Sequence, residues 1–257
     1  MNNRLKDKLR ADRLSLGSWI TLGHPGIAEI LANAGFDWLV VDLEHSTISI
    51  DQAGELIRVI DLAGAAPLVR LTSNEANQIK RVMDAGAHGI VVPMVNSARD
   101  AEQAVAATRY APVGNRGVGL ARAQRYGHGF GDYLDWQRDG PVVIVQIEHV
   151  SALENLESIF AVPGVDGFII GPYDLSCSMG MPGEFQRAEF QAAMRRILDA
   201  GRRAGCPPGL HIVEPDADRL RQVIEEGYRF IAYSVDMRML DVSARAGVVA
   251  AKEMERA

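Results

Sequence analysis

The sequence predicts a (β/α)8 barrel, the TIM-barrel class. Three observations carry that reading. First, one local pattern of helix end, glycine, short turn and apolar run recurs as "NAGFDWLVV" (33–41), "DAGAHGIVV" (84–92), "VPGVDGFII" (162–170) and "EEGYRFIAY" (225–233). Second, the apolar runs are continuous rather than alternating, as in parallel strands covered on both faces. Third, 257 residues hold eight such units, a length at which α/β barrels run as a single domain, here residues 1–257.

Strands are expected at 17–20, 38–41, 67–71, 90–95, 142–147, 168–170, 209–213 and 230–234, each followed by a helix. The glycine of the repeat suits the left-handed residue that stops a helix. Helix starts are marked by Thr72 with Glu75, Ser97 with Asp100 and Ser151 with Glu154, at capping-box spacing. After two of these starts, Ile79, Val82 and Met83, and then Leu153, Leu156, Ile159 and Phe160, fall on one helical face. An open doubly wound sheet is the alternative, but no G-x-G-x-x-G follows the first strand. One connection, residues 111–140, is far longer than the others, which marks it as functional or interfacial.

Composition narrows the function classes. Apolar residues make up 47%, with 25 glycines, which suits a large core with many tight turns. The net charge of −6 argues against a nucleic-acid binder, since phosphate contacts need a basic face. The arginine-rich "RRILDAGRR" (195–203) repeats at helical spacing and reads as a solvated helix face. Cys177 and Cys206 lack metal-type pairing and form no disulfide framework, a cytosolic usage pattern. The polar start "MNNRLKDKLR" has no apolar leader, and no stretch is long enough to span a bilayer. The expectation is a cytoplasmic protein with no membrane partner.

The strand ends are unusually polar. "WLVVDLEHS" (38–46) delivers Asp42, Glu44 and His45 after an apolar run. Strand three ends in Arg70, and strand five in Gln146 and Glu148, then His149. Asp174 follows strand six in "GPYDLS", and Ser234 and Asp236 end strand eight. A single strand-end carboxylate is ordinarily a solvated or capping group, and Asp174 is placed to cap a helix starting at Leu175. Five strands converging on the C-terminal rim of a barrel, where reacting groups sit, favour a site. Glu148 and Asp174 end adjacent strands and can share one ion, with water or substrate completing a Mg²⁺, Mn²⁺ or Co²⁺ shell. Among the histidines only His45 lies in an acidic cluster. His88 belongs to the opposite end of the barrel, His211 reads as a packed strand residue, and His24, His128 and His149 are rim residues without a clear partner.

The four lysines, Lys6, Lys8, Lys80 and Lys252, end no strand. Schiff-base chemistry needs a desolvated lysine in the barrel, so carbanion chemistry here would rely on a metal. No glycine-rich phosphate cradle follows strands seven or eight.

In "GSWITLG", "FDWLVVDLEHS", "PLVRLTSNEANQIKRVMDAGAHGIVVPMV", "NRGVG", "VQIE" and "GPYDLS", taken in order, the chain resembles the metal-dependent pyruvate aldolases of the 4-hydroxy-2-oxoheptane-1,7-dioate aldolase family. The resemblance covers nearly the whole chain. It implies metal ligands Glu148 and Asp174, pyruvate contacts from Arg70 and Gln146, and His45 as the acid–base group. It also implies Asp42 as an active-site residue, and Asp84 as the partner of His45. Since Asp84 closes a helix at the far end of the barrel, that pairing needs a bend in the path or a neighbouring subunit. Trp19, Gly171, Pro172 and Tyr173 complete the implied substrate-binding set, with backbone N–H groups of "GPYD" holding the substrate carboxylate. Tyr173 stands where many members have alanine, and Leu43 where many have a smaller residue. The variable segment "GLARAQRYGHGF" leaves the acceptor aldehyde open. The implied reaction is reversible cleavage of a 4-hydroxy-2-oxo acid into pyruvate and an aldehyde by a homohexamer. A lyase of oxaloacetate or an acyl-CoA ester is the nearest rival; a sugar-phosphate isomerase lacks its phosphate loop, and a non-catalytic barrel would not need this set of residues.

Overall fold

A computed structural model describes residues 4–256. Its eight strands are β1 (Ser15–Ile20), β2 (Trp38–Asp42), β3 (Ala66–Arg70), β4 (Gly89–Val92), β5 (Val142–Ile147), β6 (Gly167–Ile170), β7 (Pro208–Ile212) and β8 (Phe230–Val235). Each pairs in parallel with the next, and β8 closes on β1, giving the expected barrel. The helices are α1 (Arg4–Arg10), α2 (Pro25–Asn33), α3 (Ile50–Leu62), α4 (Ala76–Asp84), α5 (Ala98–Thr108), α6 (Phe130–Trp136), α7 (Leu156–Phe160), α8 (Pro172–Ser178), α9 (Ala188–Ala204), α10 (Ala217–Glu225) and α11 (Asp236–Arg256). The repeat glycines Gly35, Gly86, Gly164 and Gly227 all have φ between +96° and +101°, the left-handed turn between helix and strand that only glycine adopts without strain.

The barrel interior is filled by Trp38, Val40, Leu68, Ile144, Ile169 and Phe230 among others. Trp38 lies flat on Phe230 at 4.0 Å, and Gly17 leaves the room that ring needs, since a Cβ there would fall 2.1 Å from the indole. A second, larger core lies between the strands' outer faces and the helices. Helix α1 plugs the bottom with Leu5 and Leu9. Lys6 is buried there as well, donating to the Pro141 carbonyl at 2.7 Å and to Asp166 at 3.1 Å. Lys6 is therefore a structural group, at the end of the strands away from the rim.

Several local expectations change. Strand four stops at Val92 rather than 95, because Pro93 has no N–H to continue the ladder. Ser97 caps α5 as expected, accepting from the Asp100 amide at 3.2 Å. Thr72 instead binds the Gln78 side chain, and α4 begins after Glu75 without a side-chain cap. At the third marked start the cap is His149, which accepts from Ser151 N. The long 111–140 connection folds into a 3₁₀ turn (Arg122–Gly127) and α6. Its own small core sets buried Arg116 over the ring of Tyr110 at 4.4 Å and bonds it to the Tyr133 hydroxyl at 2.6 Å.

Candidate active site

Asp42 and Arg70 are register partners at the ends of β2 and β3. Asp42 is buried and takes Arg70 Nε at 2.9 Å and Nη2 at 2.6 Å. It also accepts the amides of Glu44 and His45. Asp42 thereby holds both the guanidinium and the turn that carries the next two groups. Such a forked pair is geometrically specific. Arg70 lies 4.3 Å over the Trp19 ring and reaches Glu44 at 3.2 Å. His45 is 64% exposed and sits 3.7 Å from Glu44.

Across the rim, Glu148 is buried. Its Oε1 accepts the Met94 amide at 2.6 Å, and its Oε2 accepts from the Gln146 side chain. Met94 turns its N–H inward by taking φ +55° just after the strand-stopping Pro93. Gly171 is required by the same packing, since a Cβ there would lie 2.6 Å from Glu148 Oε2. Asp174 stands in the first turn of α8. That helix starts at Pro172 behind Gly171, so Asp174 is not the cap of a helix starting at Leu175. The "GPYD" amides are fewer than expected: Gly171 N–H is bonded to Ile147 O at 3.1 Å and proline has none, leaving those of Tyr173 and Asp174.

The electrostatics call for a cation. Burial pushes the Glu44 carboxyl up to about 7, with Arg70 opposing and Glu148, Asp42 and Asp174 adding to the rise. Burial likewise raises Glu148, against the hydrogen bonds from Gln146 and Met94, and Asp174 adds to that rise. Four carboxyl groups thus share one guanidinium, and Gln146 Oε1 is buried without a partner. Of the four carboxyls, Asp42 and Glu148 are buried, Glu44 is half-buried and Asp174 is exposed; like charges this close disfavour one another's ionised form until a counter-ion arrives. The oxygen-only donors suit a hard divalent ion. Among the described residues no three His, Cys, Asp or Glu side chains converge into a ready cage. Water or substrate oxygens would supply the remaining positions around Glu148 and Asp174, as is usual for Mg²⁺ and its relatives.

The structure gathers Trp19, His45, Arg70, Gln146, Gly171, Pro172, Tyr173 and Asp174 around one cavity of about 250 Å³. It does not gather Asp84 within this chain. Asp84 ends α4, where the chain turns into β4 at the opposite mouth of the barrel, and its charged neighbours are Arg116 and Lys80. His45 has Glu44 beside it instead. Asp236 is also not a site group: it accepts from Thr21 and Leu22 and ties β1 to α11. Ser234 is buried, bonded to the Val213 carbonyl. His24 and His149 cap their own turns, His128 follows the 3₁₀ turn, and His88 lies 3.1 Å from Asp61.

Two site residues escaped the sequence reading in part. Glu44 stood in the acidic cluster without a role, and the signal for one was its place two residues after Asp42. His211 lines the same cavity, and its inward direction follows from the period of two along β7.

A parallel barrel with acids, one guanidinium and an exposed imidazole at its C-terminal rim is an enzyme barrel. A family model described as HpcH/HpaI aldolase/citrate lyase matches residues 15–241, and the chain belongs to that family. It is a carbon–carbon lyase of the aldolase kind. It is 43% identical to the 4-hydroxy-2-oxo-heptane-1,7-dioate aldolase of Salmonella paratyphi C over 96% of this chain and 93% of that one. The structure of an HpcH/HpaI aldolase/citrate lyase family protein from Burkholderia cenocepacia superposes with a TM-score of 0.91 at 36% identity, covering 98% and 100% of the two chains. An HpcH/HpaI aldolase from Desulfitobacterium hafniense superposes at 0.88 with 31% identity, over 97% and 96%.

Proposed function

We propose that this chain is a divalent-metal-dependent aldolase that reversibly cleaves a 4-hydroxy-2-oxo acid into pyruvate and an aldehyde. The observation that carries this reading is the buried Glu148, coupled to Asp174 and set across the rim from Arg70. Glu148 and Asp174 would hold the ion, and Mg²⁺, Mn²⁺ and Co²⁺ all suit two carboxylates. When bound, the ion supplies Lewis acidity toward the 2-keto oxygen as negative charge develops there.

The chain's own residues account for the other tasks. Arg70, held in its fork by Asp42, donates to the oxygen that becomes the enolate, and needs no reorganisation to do so. Gln146 and the free amides of Tyr173 and Asp174 orient the pyruvate half. His45 accepts the 4-hydroxyl proton as the C3–C4 bond breaks. The electron pair of that bond passes into the enolate, C4 leaves as the aldehyde, and a proton returned to C3 yields pyruvate. In condensation each step runs backwards. Glu44, beside both Arg70 and His45, is placed to pass that proton. The Salmonella relative's named substrate is itself a 4-hydroxy-2-oxo acid. The working form is proposed to be a homo-oligomer, a hexamer on the family resemblance.

The test is pyruvate release from a 4-hydroxy-2-oxo acid. Activity should vanish with EDTA, return with Mg²⁺, Mn²⁺ or Co²⁺, and survive borohydride in the presence of pyruvate. Glu148→Gln and Asp174→Asn should each abolish turnover. Chelator-insensitive activity, or pyruvate trapped covalently on the protein, would overturn the proposal.

A further inference from the structure

His211 projects from β7 into the cavity, beside Trp19, with ring centroids 5.5 Å apart. Its Nε2 lies 3.1 Å from the Ser234 carbonyl oxygen. A carbonyl only accepts, so Nε2 carries the hydrogen and Nδ1 keeps a lone pair. Among the described residues nothing is bonded to Nδ1. The neighbouring Trp19 Nε1–H is a buried donor, also without a partner. One unmatched acceptor and one unmatched donor thus sit on adjoining rings.

The position of His211 fixes which half of the substrate it would meet. The groups assigned to pyruvate come from β3, β5 and the start of α8. His211 comes from β7, on the stretch of the barrel from β7 through β8 to β1 that also brings Val213 and Trp19 to the cavity. There the site adjoins a second cavity of about 830 Å³, which Pro172, Tyr173, His211 and Val213 also border. An acceptor chain leaving the reacting carbon in this direction passes the imidazole and has room beyond it.

We infer that His211 is a specificity-determining residue that selects a hydroxyaldehyde as the acceptor, its Nδ1 accepting a hydrogen bond from an acceptor hydroxyl. The inference rests on the aldolase reading above and names the substrate class of the same site. A hydroxyl donates and accepts at once, so it can satisfy His211 Nδ1 and Trp19 Nε1–H together. An alkyl group satisfies neither. A carboxylate would set its own lone pairs against that of Nδ1. Protonation does not relieve the conflict near neutrality, because burial holds the imidazole down to about 4, the Ser234 hydrogen bond opposing in part. The preferred acceptor therefore differs from the semialdehyde that a heptane-1,7-dioate would release.

The experiment compares kcat/KM for condensation of pyruvate with glycolaldehyde, glyceraldehyde, propanal and succinic semialdehyde, in the metal-loaded protein. The wild type should prefer the two hydroxyaldehydes over propanal and succinic semialdehyde by about tenfold or more, the scale of one hydrogen bond left unmade in a buried site. His211→Leu should erase the preference through a higher KM for hydroxyaldehydes while propanal is used as well or better. His211→Asn, whose Oδ1 can stand in for Nδ1, should retain part of it. Deuterium exchange into pyruvate C3 is followed in each protein as the control. Exchange absent from the wild type would overturn the aldolase reading itself. Exchange intact in the wild type with no hydroxyaldehyde preference overturns the role of His211 alone. So does a His211→Leu protein that exchanges normally and loses all four acceptors equally. Should His211→Leu lose exchange through misfolding, His211→Asn decides: a hydroxyaldehyde preference unchanged from the wild type or wholly absent overturns the role, and a partial one supports it.

Discussion

Arg70 and His45 stand a few ångströms from the same Glu44 carboxylate, yet their environments differ. Arg70 is largely enclosed and locked by Asp42, whereas His45 is mostly exposed. A preorganised cation serves any reaction that builds negative charge at one oxygen. An exposed imidazole outside that clamp serves only a step in which a proton moves. Arg70→Ala should therefore depress aldol cleavage, pyruvate C3 exchange and oxaloacetate decarboxylation together, by roughly 3 kcal/mol or more of transition-state stabilisation. His45→Ala should lose aldol cleavage by about a hundredfold and decarboxylation far less, since decarboxylation forms the enolate without deprotonating an alcohol. Three rates on each variant check this. Equal losses for His45→Ala in cleavage and decarboxylation would remove it from acid–base work.

At the scale of elements, the C-terminal ends of the strands are specialised for chemistry and the N-terminal ends for stability. The clearest stabilising tie is Asp61 near the end of α3, with His88 at 3.1 Å and Arg122 of the 3₁₀ turn at 2.6 Å. Burial alone would raise this carboxyl, but the His88 imidazole beside it and the hydrogen bond from Arg122 outweigh burial and hold the group at about 2, below its ordinary 3.8. Between those values the unfolded chain binds more protons than the folded one. The tie therefore stabilises fully above about pH 4 and is lost as pH falls toward 2. Allowing for partial exposure, Asp61→Asn should cost about 1–2 kcal/mol at pH 7. Urea unfolding of wild type and variant should show that difference shrinking to about half near pH 3. A difference independent of pH would mean that Asp61 acts through packing alone.

At the scale of the whole molecule, α11 is the element without a place. Of its 21 residues only Asp236 is buried, and Val248 and Val249 are 55% and 53% exposed. An amphipathic helix that leaves its apolar side in water is ordinarily covered by another copy. Light scattering should find a stable oligomer, and Val248→Asp with Val249→Asp should shift it to smaller species. A wild-type protein that is monomeric and fully active would refute the assembly. No helix among the described residues is long and apolar enough to cross a membrane.

The barrel itself was legible in the chain, because its causes are local. A left-handed glycine between helix and strand and a continuous apolar run repeat wherever a βα unit repeats, and eight repeats of one handedness close on themselves. The rim was legible too, since residues ending strands of a closed parallel barrel must meet at one mouth. Tertiary structure decided how those residues divide their tasks. Asp42 became the clamp on Arg70 because register places the two side by side. Pro93 and Met94 became a support for Glu148, and Gly171 the space beside it, through contacts across strands that no spacing encodes. Asp84 shows the opposite case: its place at the other mouth of the barrel followed already from its ending a helix, and the single chain leaves it there, so a pairing with His45 would need a neighbouring subunit. His211 passed as a packed strand residue because its meaning depends on which nitrogen the Ser234 carbonyl takes, and that carbonyl arrives from a different strand. Periodicity is written into the chain; the pairing of polar atoms is settled only when distant segments are brought within hydrogen-bonding reach.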